Sequence, residues 1–142
     1  MTLRLAIAGF GKIATTRHVP AIAEVGGVEL VAIADPLAKS ADVPHFPSLD
    51  RLLKEGPDID AVTLCTPPQV RGAQALLALE ARKHVMLEKP PGATVSEIAP
   101  LVAAADRLVE RVQARMKGAD KSDKPCKPDD LTVVLFRPHK PR

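Results

Sequence analysis

Tryptophan and tyrosine are absent from this 142-residue chain, and phenylalanine occurs three times, at Phe10, Phe46 and Phe136. Proteins that hold nucleic acid stack bases on aromatic rings beside basic grooves, so this composition argues against such a partner. The basic residues between Lys117 and Arg142 alternate with Asp120, Asp123, Asp129 and Asp130 and have the character of a solvated segment. Only two cysteines occur, Cys65 and Cys126, and neither has a Cys or His at metal-ligand spacing. Reduced thiols, a cytoplasmic setting and no bound metal are therefore expected. No stretch reaches the roughly 18 consecutive apolar residues of a membrane span. The N-terminus enters a strand-like run at once, without the charged, apolar and small-residue sections of a secretory leader.

What is present is ordinary globular material, 46% hydrophobic and 26% charged with a net charge of +3. A chain of this size suits one domain and buries about 70% of its unfolded surface. Near-continuous apolar runs alternate with helical patterns. Leu3 to Ala8, Val28 to Ala34, Ala61 to Thr66, His84 to Glu88 and Leu131 to Phe136 read as strands, with a two- or three-residue strand near Phe46. Helices are expected from the first glycine turn to Val25, from Leu49 to Lys54 behind a Ser48 cap, and from Gln69 to Glu80. A fourth is expected behind a Thr94/Glu97 capping box, with Pro100 as its irregularity. Its apolar stripe would be Ile98, Leu101, Val102, Ala105, Leu108, Val109, Val112 and Met116. Apolar strands separated by helices imply an α/β fold, a doubly wound and mostly parallel sheet of the Rossmann dinucleotide-binding kind. The right-handed crossover rule would set Leu131–Phe136 at the edge beside His84–Glu88.

The chemistry-bearing pattern is Gly9-x-Gly11-x-x-Ala14, which follows a strand and opens a helix. Gly9 permits the tight turn, Gly11 leaves room for a pyrophosphate, and Ala14 lets helix and strand pack closely. The N–H groups of the helix start then face the phosphates. The candidate dinucleotide contacts there are Gly9, Phe10, Gly11, Lys12 and Ile13. Asp35 ends the second strand at about the distance, 20 residues, at which an acid meets the adenosine ribose. Its carboxylate repels a 2′-phosphate and so favours NAD, while no arginine follows it and Lys39 is the nearest cation; NADP use stays open. Glu88-Lys89-Pro90-Pro91 ends a parallel strand at the ligand-binding rim, where Lys89 can reach a ligand or stand in solvent.

Five segments together resemble the Gfo/Idh/MocA oxidoreductase family, and within it the branch acting on galactose or arabinose at C1. They are Ala8–Ala14, His18–Ile22, Ala34-Asp35-Pro36, Leu64–Pro68 and Lys83–Pro90, and the likeness spans about residues 1–98. The resemblance implies that Thr66 and Pro67 line the nicotinamide ribose, and that Glu88 and Lys89 belong to the cofactor site. Lys89 would be the catalytic residue of hydride and proton transfer. Two positions depart from the family pattern: Arg82 stands where a helix-ending glycine is usual, and Gly72 where a larger residue is usual. The family's substrate domain has no counterpart in residues 99–142. The expectation is thus a single domain that binds NAD weakly or not at all, with Lys89 idle.

The tail more weakly resembles the closing helix and strand of PPM-type serine phosphatases, with Asp129 at a metal-binding position but read here as a loop residue. That places a seam between Ser96 and Asp106 and keeps two alternatives open: a recombined or engineered fold without activity, and a fragment active only with a partner chain. Apolar surface around Pro67, Pro68, Pro90 and Pro91, or the edge of the last strand, would make a homodimer the expected assembly.

Overall fold

The computed structural model describes residues 2–38 and 42–103. Lys39 and the expected Leu131–Phe136 strand lie outside them. Five parallel strands form one sheet in the order β3-β2-β1-β4-β5, with β1 at Leu3–Ala8, β2 at Val28–Ala34, β3 at His45–Phe46, β4 at Ala61–Leu64 and β5 at His84–Leu87. The alternation of strand and helix expected from the apolar runs is the one observed. β4 and β5 stop short of Thr66 and Glu88, although the ladder pattern continues through the Cys65 amide to the Ala8 carbonyl and the Glu88 amide to the Leu64 carbonyl.

In-register partners on parallel strands share a face, so the pairing sorts the core. Ala6, Ala8, Val62, Leu64 and Val85 point to one side, where they meet α2 (Leu49–Glu55), α3 (Pro68–Glu80) and Leu101. Ile7 and Ile33 point to the other side, against Ala14 and Ile22 of the first helix. Burying an isoleucine completely contributes about 1.5–3 kcal/mol, so these two hold the glycine-turn helix to the sheet. Ser48 caps α2 as expected, its hydroxyl accepting from the Arg51 amide at 3.3 Å.

The first helix opens at residue 12 and widens at once into a π-helical turn, Ala14–His18, before continuing as α1 (Val19–Glu24). The wide turn directly precedes Pro20, which has no N–H to give to the Thr16 carbonyl. The hydroxyls of Thr15 and Thr16 also bond back to the Lys12 carbonyl, at 3.2 and 2.7 Å, which loosens the regular ladder.

A fourth helix, α4 (95–103), begins where the Thr94/Glu97 pattern places it. The Thr94 hydroxyl accepts from the Glu97 amide at 3.3 Å, but the Glu97 carboxylate takes the Ala93 amide at 2.8 Å, one residue upstream of the expected Thr94 amide. The helix runs through Pro100. Of its expected apolar stripe Leu101 is buried, whereas Val102 is half exposed and faces outward; the residues from Ala105 onward lie outside the described chain.

The two departures from the family pattern acquire physical meanings. A Cβ on Gly72 would stand 3.1 Å from the Glu97 carbonyl oxygen, so the glycine is what lets α3 and α4 approach so closely. Arg82 is in the left-handed region at φ 63°, as a helix-ending glycine would be. A non-glycine residue is strained there by about 1–2 kcal/mol. Arg82→Gly should relieve that strain, less the entropy the glycine adds to the unfolded chain, and raise stability by about 0.5–1 kcal/mol. Urea unfolding checks this; an unchanged or lowered midpoint would contradict it.

Candidate cofactor crevice

Strand order reverses direction between β1 and β4, and at such a switch point the loops leaving the two strands part and open a crevice. The glycine turn leaves β1 here. Gly9 has φ 84°, and a Cβ on it would fall 2.6 Å from the Thr66 backbone nitrogen. Only hydrogen fits between these two strand ends. Gly11 is the opposite case: a Cβ there would meet nothing within 4 Å, because the turn faces open space. The first helical hydrogen bond runs from the Thr15 amide to the Gly11 carbonyl at 3.1 Å, so the Lys12 and Ile13 amides belong to a first turn without intrahelical acceptors. All three residues from Gly11 to Ile13 are exposed. Open space, unclaimed amides and a helix N-terminus are what a pyrophosphate needs.

Asp35 sits beside the turn, half-buried. One carboxylate oxygen accepts from the Phe10 amide and the other from the Leu37 amide, both at 2.7 Å. The carboxylate therefore fastens the glycine turn to the end of β2, a role the sequence did not disclose. It also means that the Phe10 amide is not free for a phosphate. Each oxygen keeps a second lone pair, so a ribose hydroxyl can still donate to it.

The far side of the crevice is made by the exits of β4 and β5. Thr66 is buried, and its hydroxyl donates to the Gln74 side-chain oxygen at 2.5 Å. Pro67 is exposed, and α3 begins at Pro68, where a missing N–H costs nothing. Glu88 reaches across to the π-helical turn and meets His18 Nε2 at 2.6 Å, while its second oxygen accepts from the Lys89 amide at 3.3 Å. Lys89 is exposed, and the Lys89–Pro90 peptide is cis. The structure thus gathers Gly9, Phe10, Gly11, Asp35, Thr66, Glu88 and Lys89 around the β1, β2, β4 and β5 ends.

Sequence reasoning missed Arg71, which is 4% exposed on the inner side of α3 and hydrogen-bonded to the Thr66, Glu88 and Pro90 carbonyls. Its place on the small-residue stripe with Ala75 and Ala78 is only a local hint, since the carbonyls that hold it are brought together by the fold. Burial lowers its pKa, against the opposing pull of Glu88. No group of three or more His, Cys, Asp or Glu side chains able to hold a metal occurs among the described residues.

An apolar concavity lies elsewhere. A groove of about 440 Å³ runs along the opposite face between α1 and the β4–β5 side, lined by Leu5, Ile22, Val25, Thr63, His84 and Met86. The Thr63 hydroxyl, fully buried, finds no hydrogen-bond partner among the described residues. Of the prolines anticipated as a crevice-side apolar patch, Pro67, Pro90 and Pro91 are exposed and Pro68 is half-buried.

Cys65 stands directly before Thr66, and its thiol is pushed up to about 12, first by burial and then by the Glu88 charge, with Arg71 opposing. An acid whose pKa rises on folding favours the fold while protonated, so this contribution fades as the pH climbs from about 9 toward 12. In a Cys126→Ser chain at about pH 8, iodoacetamide should alkylate Cys65 roughly tenfold or more slowly than in urea. Equal rates would contradict the burial described.

Comparison with known proteins agrees with this geometry. Residues 3–116 match the Gfo/Idh/MocA model, described as an oxidoreductase family with an NAD-binding Rossmann fold. The match runs past the seam suggested between Ser96 and Asp106, and the phosphatase likeness of the tail has no counterpart in the comparisons. Galactose 1-dehydrogenase of Pseudomonas fluorescens is 46% identical over 97 residues, 68% of this chain and 32% of that protein. A dTDP-3,4-didehydro-2,6-dideoxy-alpha-D-glucose 3-reductase of Saccharopolyspora spinosa is 38% identical over 112 residues, 74% of this chain and 33% of that one. Among solved structures, D-galactose-1-dehydrogenase from Rhizobium etli superposes with a TM-score of 0.68 at 46% identity, covering 75% of this chain and 34% of its own. The WlbA dehydrogenase from Bordetella pertussis, solved with NADH and UDP-GlcNAcA, gives 0.69 at 30% identity, covering 75% and 35%. The chain spans about a third of the length of these relatives.

Proposed function

The chain belongs to the Gfo/Idh/MocA oxidoreductase family through its NAD-binding Rossmann domain, and on that premise we propose that it is the cofactor half of a sugar 1-dehydrogenase, holding NAD(H) across the β1–β4 crevice. The observation that carries this reading is the open space over Gly11, flanked by the Lys12 and Ile13 amides and by Asp35. A side chain at Gly11 would project into the place a pyrophosphate requires. The adenosine ribose would donate to the remaining lone pairs of Asp35. The nicotinamide ribose would lie along Thr66 and Pro67, with Lys89 beyond it at the exit of β5.

The cofactor supplies a hydride acceptor at its nicotinamide ring. Lys89, with its exposed side chain, would exchange a proton with the sugar hydroxyl being oxidised. The name borne by the Pseudomonas relative, galactose 1-dehydrogenase, supports an aldose as that sugar. Turnover also needs a reacting sugar held in a defined pose. We assign that task to the two-thirds of the relatives that lies beyond the shared region, so residues 1–142 should bind cofactor weakly and turn over nothing by themselves.

NAD should be preferred to NADP because Asp35 would face the 2′-phosphate as a like charge. Calorimetry should find NAD⁺ bound more tightly than NADP⁺. Asp35→Ala should weaken NAD⁺ by about 1 kcal/mol or more, since both ribose hydrogen bonds and the Phe10 tether are lost, and should narrow the gap to NADP⁺. Equal affinities of the two proteins for NAD⁺ would remove Asp35 from the site.

A further inference from the structure

Arg71 does more than fill space beneath the crevice. Its guanidinium is buried, yet no carboxylate lies within ion-pair distance of it among the described residues. Burying a charge is costly unless its donors are satisfied, and an apolar residue could pack α3 against the sheet without that cost. All of the donors used go to backbone carbonyls. Nε donates to the Thr66 carbonyl at 3.0 Å, and Nη2 donates to the same oxygen. Nη1 donates to the Glu88 carbonyl at 2.5 Å and to the Pro90 carbonyl. Those last two carbonyls flank Lys89. The Thr66 carbonyl belongs to the residue whose amide lies against Gly9. One planar, rigid group therefore ties the backbone on both sides of Lys89 to the strand end that abuts the glycine turn.

We infer that Arg71 is the positioning residue of Lys89: it sets where the lysine stands relative to the nicotinamide end of the crevice. The inference rests on the cofactor reading given above. A lysine at this position could not replace the fork, because a single ammonium nitrogen cannot span three carbonyls held by three separate guanidinium nitrogens. Arg71 touches neither cofactor nor substrate in this account. If it acts through Lys89, its effect falls on ligands that extend as far as Lys89, whereas a role only in holding the Thr66 strand end against the glycine turn would weaken shorter ligands as well.

Comparison of NAD⁺ with ADP-ribose, which has everything except the nicotinamide ring, isolates that end. The two ligands are titrated by calorimetry into the unaltered chain, Arg71→Lys, Arg71→Gln, Lys89→Ala and the Arg71→Lys/Lys89→Ala pair. The unaltered chain should bind NAD⁺ more tightly than ADP-ribose. In Arg71→Lys and Arg71→Gln, ADP-ribose affinity should stay within about twofold while NAD⁺ affinity falls roughly tenfold, the scale of lost hydrogen bonds to a charged group. Lys89→Ala should remove the same preference, and adding Arg71→Lys to it should remove nothing further. Arg71 variants that weaken both ligands alike, or bind neither, would show a merely structural role and overturn the inference. So would variants that keep the NAD⁺ preference. If the unaltered chain binds both ligands equally, the cofactor reading stands and the positioning role falls. If it binds neither, the cofactor reading itself fails and takes the inference with it.

Discussion

The approach of Gly9 to the Thr66 backbone is the constraint on which the rest of the site depends. A Cβ placed on Gly9 would collide with the Thr66 nitrogen at 2.6 Å, so β1 and β4 can end side by side only because residue 9 has no side chain and tolerates φ 84°. From that contact two loops diverge. One turns into the first helix and exposes Gly11 with the amides behind it. The other passes through Pro67 into α3. The crevice is the space between them, and the parallel register that pairs Ala6 with Val62 and Ala8 with Leu64 sets the two strand ends level beneath it.

Three polar ties hold the walls at that separation, and each joins elements far apart in the chain. Asp35 fastens the glycine turn to β2 through the Phe10 amide. Glu88 and His18 join β5 to the π-helical turn. Arg71 joins the β4 and β5 exits through their carbonyls. None of the three is an exposed surface pair of the kind whose contribution is small. All are half-buried or buried, and all lie at the carboxyl end of the sheet. The glycine pattern makes the space, and these ties keep its shape before a ligand arrives.

The strands and the glycine turn were legible because their causes are local. Apolar runs bounded by glycine and proline mark buried strands, and the turn geometry restricts residue type at Gly9 and Gly11. Ser48 declared its cap for the same reason. What was not legible depends on partners distant in sequence. An arginine in a helical pattern reads as a solvated side chain until the fold shows three carbonyls around it, and Asp35 gives no sign that its oxygens are shared with Phe10 and Leu37. The Gly72 and Arg82 departures were visible as oddities, but only the packing of α3 on α4 explains the first. Val102 failed the apolar-stripe reading because α4 presents Leu101, not its neighbour, to the core. The groove beside α1 was invisible because it is set by which helices cover the second face of the sheet.

A dinucleotide bound as proposed lies across the β1–β4 switch point and not in the apolar groove lined by Leu5, Ile22, Val25 and Met86. Titration of NAD⁺ into ¹⁵N-labelled protein tests it directly, because each backbone amide reports its own surroundings. Progressive shifts are expected at Gly11, Lys12, Ile13, Asp35, Thr66 and Lys89, with Leu5, Ile22, Val25 and Met86 left in place. Shifts confined to those groove residues, or no shifts at millimolar NAD⁺, would contradict it.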